Sequence, residues 1–225
     1  MIPIRNIYNY GEVRRSEQNG TRHYLTENNT RVPSVTTILS KTKDITELLA
    51  WRRRIGEAAA DQITRESTSL GTTMHTHLEN HIRGEPRPGG NNLGRVMAQN
   101  MADVIIAQAL SRVDEVWGIE VPLIYDTLWA GTTDLVGVFE GQPAIMDFKT
   151  TNRPKTSDRV EDYRLQLMAY IMGHNLSFGT DIKQGVIFMV SRDLTYQQFV
   201  ITADQMDEYE IQWLLRVEKY YRDHM

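Results

Sequence analysis

The residues best suited to chemistry lie in the middle of the chain: Asp134, which closes Gly131-Thr-Thr-Asp134, and the pair in Asp147-Phe-Lys149. Asp147 and Lys149 are two residues apart, so on a strand both point to the same face. Their neighbours Ala144, Ile145, Met146 and Phe148 are apolar, which predicts a strand central in a sheet. Charges facing inward from such a strand are costly unless paired or bound to a metal. Two carboxylates converging with one lysine would make a hard-cation site beside an amine that handles protons or stabilises charge.

The elements that must position these groups follow from local pattern. Residues 128–139 are β-rich, Glu140-Gly141-Gln142 is a turn, and 143–150 form the second strand of a hairpin. A strand over 117–125 precedes it and carries Glu120, which could complete a second metal site, bond to Lys149, or be a plain edge-strand charge. A polar loop, 151–156, leads to a helix over about 159–174 capped by Ser157 or Asp158. On it Gln166 and Tyr170 share a face at i,i+4, and Asp162 extends the stripe. Two strands, 185–190 and 196–201, follow. The capping-box pattern Thr202-Ala-Asp-Gln205 then opens a closing helix whose stripe (Met206, Tyr209, Trp213, Val217, Tyr220) is core.

Upstream, 1–35 reads as a hairpin or loose lead-in with a turn at 27–30, and 35–41 as a short helix. Ile45, Leu48, Leu49, Ile55, Ala59 and Ile63 recur at helical spacing, predicting a helix over about 45–66. Ser69-Leu-Gly-Thr72 opens the next, which carries His75, His77, Glu79 and His81. His75 and Glu79 share a face and could simply hydrogen-bond each other, whereas His77 lies about 200° round the helix from His75. His77 and His81 read as surface residues. The breaker-rich stretch 84–92 is a linker or a gating loop, followed by an amphipathic helix to about 111.

Gly-x-x-Asp, Asp-x-Lys and Gln-x-x-x-Tyr in this order, with a histidine on a helix well upstream, resemble the RecB-type branch of the PD-(D/E)XK nucleases. From His75 to the C-terminus, including Gly185-Val-Ile-Phe and Trp213-Leu-Leu-Arg-Val-Glu218, the chain is similar to the mitochondrial genome maintenance exonucleases and their phage relatives. The resemblance implies an exonuclease that hydrolyses single-stranded DNA from a free end. It implies metal ligation by His75, Asp134, Asp147 and the Phe148 carbonyl, with Mg²⁺ as cofactor and Mn²⁺ as substitute. Lys149 would position the attacking water and stabilise charge, Gln166 would buttress the site, and Tyr170 would contact DNA or the sheet. A structure-specific or restriction-like endonuclease would use the same constellation. A non-catalytic DNA-binding descendant would be expected to lack Lys149 or Asp147.

Composition sets the frame. The 225 residues are 40% hydrophobic and 24% charged, an ordinary globular make-up. One α/β domain is expected over 1–225: an N-terminal hairpin and helical roof to about 112, then a catalytic core with a mixed central sheet flanked by helices. The absence of cysteine excludes thiolate metal sites, disulfides and an iron–sulfur cluster on cysteines. The net charge of −4 argues against a protein that coats duplex nonspecifically. No apolar run approaches membrane length, and no Gly-x-x-x-x-Gly-Lys loop is present, so no nucleotide cofactor is expected. Any motor, replication or recombination partner would be a separate chain. The N-terminus reads as neither signal nor transit peptide, which points to the cytoplasm, that of a bacterial host if the source is viral.

Overall fold

The computed structural model describes residues 2–18, 21–26 and 29–224; Glu27 and Asn28, half of the predicted turn, lie outside them. The lead-in is an antiparallel sheet of β1 (Arg14–Gln18), β2 (Thr21–Leu25) and β3 (Arg31–Pro33), the predicted hairpin plus a third strand. Ser34 then starts α1 (Val35–Thr42), its hydroxyl accepting the Thr37 N–H at 3.0 Å as an N-cap does.

The next helices differ from expectation. The chain breaks at Gly56 rather than near residue 66, giving α2 (Thr46–Ile55) and α3 (Glu57–Arg83). Gly56 has φ of +89°, a conformation that glycine adopts without a Cβ penalty. Within the Ser/Thr-rich stretch the hydroxyls of Thr64, Thr68, Thr73 and Thr76 each bond back to the carbonyl four residues earlier, which satisfies them without leaving the helix. The apolar stripe assigned to the first helix is not a core face either. No residue of α2 is buried, and Leu48, Leu49 and Ile63 are exposed.

After α4 (Leu93–Gln108) and a short 3₁₀ turn comes a five-stranded sheet. Its strands are β4 (Val113–Tyr125), β5 (Trp129–Phe139), β6 (Gln142–Thr151), β7 (Gly185–Ser191) and β8 (Tyr196–Ile201), in that spatial order. All neighbours are antiparallel except β6 and β7, which are joined in parallel through α5 (Glu161–Phe178). The helix α6 (Met206–His224) closes the fold behind the predicted Thr202–Gln205 capping box.

Two cores sandwich the sheet. One packs α1, α5 and α6 on the face that bears Ile145; the other packs α3 and α4 on the face that bears Ala144, Met146 and Phe148. Asp147 and Lys149 follow Ile145 in the alternation and so face α5. This is the predicted architecture, a mixed central sheet flanked by helices, of PD-(D/E)XK restriction-endonuclease-like type. Among the described residues no helix is long and apolar enough to cross a membrane.

Candidate active site

The antiparallel pairing of β5 with β6 ends at Leu135–Met146. Asp134 and Asp147 come next in that register, where the strands have parted and side chains replace the ladder. The Phe148 N–H donates to Asp134 Oδ2 at 2.6 Å, and Thr133 Oγ1 donates to the Met146 carbonyl at 3.3 Å. On its other edge β6 stays paired with β7 through Asp147–Ile187 and Lys149–Met189. One strand pair opens while the next holds, and the acidic groups occupy the opening.

From α3, His75 reaches across it. Nδ1 lies 3.3 Å from Asp134 Oδ1, and Nε2 lies 3.0 Å from the Phe148 carbonyl oxygen. His75 therefore does not pair with Glu79, which lines the same cavity and has Arg83 at 3.6 Å.

Glu120 enters from β4 with φ of +53°, a left-handed conformation that costs a non-glycine residue about 1–2 kcal/mol. The irregularity breaks the alternation, so Ile119 packs on the α3–α4 core and Val121 on the opposite one. It leaves Glu120 in the wall of the cavity. One donor atom from each of His75, Glu120 and Asp134 lies within 4.8 Å of the others. An imidazole and two carboxylates so spaced could hold a divalent cation. Beside them Asp147 is in contact with Lys149 Nζ, and both line the same cavity of about 530 Å³.

The charges are coupled. Burial opposes protonation of His75, but the Asp134 carboxylate outweighs it and lifts the imidazole to about 9. Burial likewise opposes an ionised Asp134, yet His75, Lys149 and the Phe148 N–H hold it below the usual range. Asp147, which is 2% exposed, is raised to about 6, by burial first and then by Asp134, with Lys149 opposing. Lys149 is held above its ordinary value: the desolvation penalty is overcome by Asp147 and Asp134. Glu120 rises to about 7 through desolvation and the charges of Asp134 and Glu79.

The glycine of Gly131-Thr-Thr-Asp134 has a steric reason. A Cβ there would stand 2.5 Å from Tyr170 Cε1, so the bare backbone admits the ring. Gln166 Nε2 donates to the Tyr170 hydroxyl at 2.9 Å, and both residues are buried on α5. Burial, followed by the charge of Asp147, pushes the Tyr170 phenol well above its ordinary value. Asp162 does not extend this stripe into the site; it pairs with Lys43 at 2.7 Å and Arg216 at 3.3 Å.

Other expectations need correction. His77 is not a surface residue: it is 1% exposed, and Arg87 Nε donates to its Nδ1 at 3.3 Å. Arg87, from the 84–92 stretch, also pairs with Asp103 of α4 at 2.6 Å, which ties that stretch to the helices and away from the cavity. Of the expected roof helices over 45–111, only α3 lines the cavity. The rest of that wall includes Arg15 and Arg22 of the β1–β2 hairpin, residues that no sequence pattern singles out. The pairing of Arg15 with Tyr24 puts Arg15, Tyr24 and Arg22 on one face, so the register of the hairpin was the missing signal.

No family model matches the chain. It is 25% identical over 201 residues to mitochondrial genome maintenance exonuclease 1 of Homo sapiens, covering 84% of this chain and 58% of that protein. The Mus musculus protein is likewise 25% identical over 201 residues, covering 84% and 59%. The chain thus spans under two thirds of the length of these relatives. A solved structure of a candidate exonuclease from Eubacterium rectale is 11% identical, covering 71% of this chain and 69% of that one with a TM-score of 0.49. With its splayed β5–β6 pair and its His75–Glu120–Asp134 donor cluster, the chain has a PD-(D/E)XK-like α/β core and is similar in sequence to proteins named exonucleases.

Proposed function

We propose that this protein is a metal-dependent deoxyribonuclease that digests single-stranded DNA from a free end. The carrying observation is the convergence of His75, Glu120 and Asp134 on one point beside the buried Asp147–Lys149 pair. In this reading Asp147 and the Phe148 carbonyl join the cluster as further oxygen donors to Mg²⁺, with Mn²⁺ as substitute. A divalent cation held there supplies a Lewis acid for the phosphoryl oxygens and lowers the pKa of water. Binding it would displace the proton that His75 shares with Asp134.

The chain's own groups do the rest. Lys149 keeps its charge in a dry setting, where its ammonium stabilises negative charge developing on the phosphoryl oxygens. Asp147 holds that ammonium in place. Gln166 fixes the Tyr170 hydroxyl, and Tyr170 fills the space left by Gly131, so the floor of the site does not shift as substrate enters. Arg15 and Arg22, which make no ion pair among the described residues, attract the backbone of the strand. The preference for a free end rests on sequence similarity to proteins named exonucleases. The test incubates the protein with end-labelled linear single strand, linear duplex and circular single strand, each with Mg²⁺ or EDTA. Metal-dependent release of label from the linear single strand, with the circle intact, is expected. Nicking of the circle at a matching rate would replace the exonuclease with an endonuclease, and digestion in EDTA would remove this site from the reaction.

A further inference from the structure

A second cavity, of about 300 Å³, lies on the other side of the α3–β6 contact from the candidate active site. The wall between them is thin. A Cβ added to Gly71, which lines the first cavity, would stand 3.5 Å from the hydroxyl of Thr150, which lines the second. The second cavity is bordered by Lys155 and Arg192 with Ser67, Thr150, Thr151 and Asn152. Its polar groups are thus two cations, three hydroxyls and an amide, and none of these residues is acidic.

Neither cation has a carboxylate partner among the described residues. Lys155 Nζ donates to the Tyr163 hydroxyl at 3.1 Å and lies 4.6 Å from the centre of that ring. Gln197 pins the Lys155 backbone from both sides, at 2.7 and 2.8 Å. The Arg192 backbone N–H is bound to the Thr151 carbonyl at 3.1 Å, which anchors the residue at the cavity, yet its side-chain Nε is buried with no hydrogen-bond partner. A buried guanidinium donor left without an acceptor is rare in folded proteins, and anionic oxygen is the acceptor that its planar fork fits best.

We propose that this cavity is a phosphate-binding subsite, distinct from the metal cluster, that holds the phosphate next to the scissile one; this rests on the nuclease reading above. The spacing agrees. Lys149 and Thr151 are two residues apart on β6, about 6.6 Å at the rise of a strand, and so comparable to the step between successive phosphates of an extended strand. Arg192 also borders a larger cavity beyond, whose charged lining adds Arg65, Arg95 and one acid, Glu66, so cations outnumber the acid past the subsite. The phosphate held there belongs either to the end of the strand or to an internal linkage.

The experiment measures binding in EDTA, where no hydrolysis occurs. Fluorescent 12-nucleotide single strands carrying a 5′-phosphate, a 3′-phosphate or neither are titrated into wild type, Arg192→Ala and Lys155→Met over a range of salt. Each variant is expected to bind about tenfold more weakly, with a salt slope shallower by about 0.7, the value for neutralising one phosphate fewer on a single strand. A wild-type preference for one phosphorylated end that vanishes in both variants assigns the subsite to the terminal phosphate; equal weakening of all three strands assigns it to an internal one. Unchanged affinity and slope in both variants overturn the proposal. Lys155→Met, at a half-buried residue whose backbone carries its fixed bonds, keeps the test valid if Arg192→Ala does not fold. A protein that behaves as expected here but never hydrolyses DNA would overturn the nuclease reading and leave the subsite standing.

Discussion

The two walls of the candidate active-site cavity carry their charge in different ways. On the sheet wall, Asp134, Asp147 and Lys149 are largely buried and each is bonded to a neighbour. On the wall formed by the β1–β2 hairpin, Arg15 is exposed and Arg22 half-buried, and neither has an ion-pair partner among the described residues. Charges fixed in a dry setting act on a transition state without reorganising. Open ones attract a polyanion at long range and are screened by salt. On the proposed nuclease reading the difference gives chemistry to one wall and capture to the other, and substitutions on each wall can test that division.

The largest effect is expected at Lys149. Lys149→Ala should lower the single-turnover rate on the order of 10²–10³-fold, the range for removing one preorganised charge-stabilising donor, while DNA affinity changes only a few-fold. A normal rate with weakened binding would move Lys149 to the capture wall. At His75 the expected loss is intermediate: His75→Ala should need roughly 10–100-fold more metal, as when a ligand shell is weakened. The deficit should be larger in Mg²⁺ than in Mn²⁺, because the latter binds such sites more tightly. Equal titration of mutant and wild type by Mg²⁺ would take His75 out of the ligand set.

Arg22→Ala should act in the opposite sense to Lys149→Ala. Affinity for single strands falls a few-fold with a shallower salt dependence, and the rate at saturating DNA is unchanged. A lost rate at saturation would erase the contrast between the walls.

The smallest effect concerns stability. Glu120, raised to about 7, holds its proton more tightly folded than unfolded. Its contribution is therefore complete below the unfolded value near 4.5 and is lost as pH rises through about 7. In EDTA, Glu120→Gln should melt above wild type at pH 8 and together with it at pH 4. A lower melting temperature at pH 8 would mean that the carboxylate is stabilised in the metal-free fold.

The sheet wall is legible in the sequence and the hairpin wall much less so, for physical reasons. A charge inside an apolar strand stands out, so Asp147 and Lys149 identified themselves, and Asp134 followed from the hairpin. Glu120 could not be decided, because its left-handed backbone breaks the two-residue alternation from which facing is inferred. A lone glycine inside a helical stripe does not by itself mark a break, so Gly56, at φ of +89°, carries no signal in the pattern. The Ser/Thr-rich stretch after it reads as a helix end although its hydroxyls bond back within the helix. His77, about 200° round the helix from His75, reads as a surface residue, yet α3 packs on both the sheet and α4, which buries that side too. Arg15 and Arg22 carry no pattern of their own; only the register of β1 against β2 aligns them toward the cavity.

One rate decides whether hydrolysis belongs to the parted strands β5 and β6: release of labelled nucleotide from an end-labelled linear single strand, by wild type and Asp147→Ala, in Mg²⁺ and in EDTA. Rapid release by wild type in Mg²⁺, with none in EDTA and none by Asp147→Ala under either condition, is the predicted result. Undiminished release by Asp147→Ala, or by wild type in EDTA, would contradict that assignment.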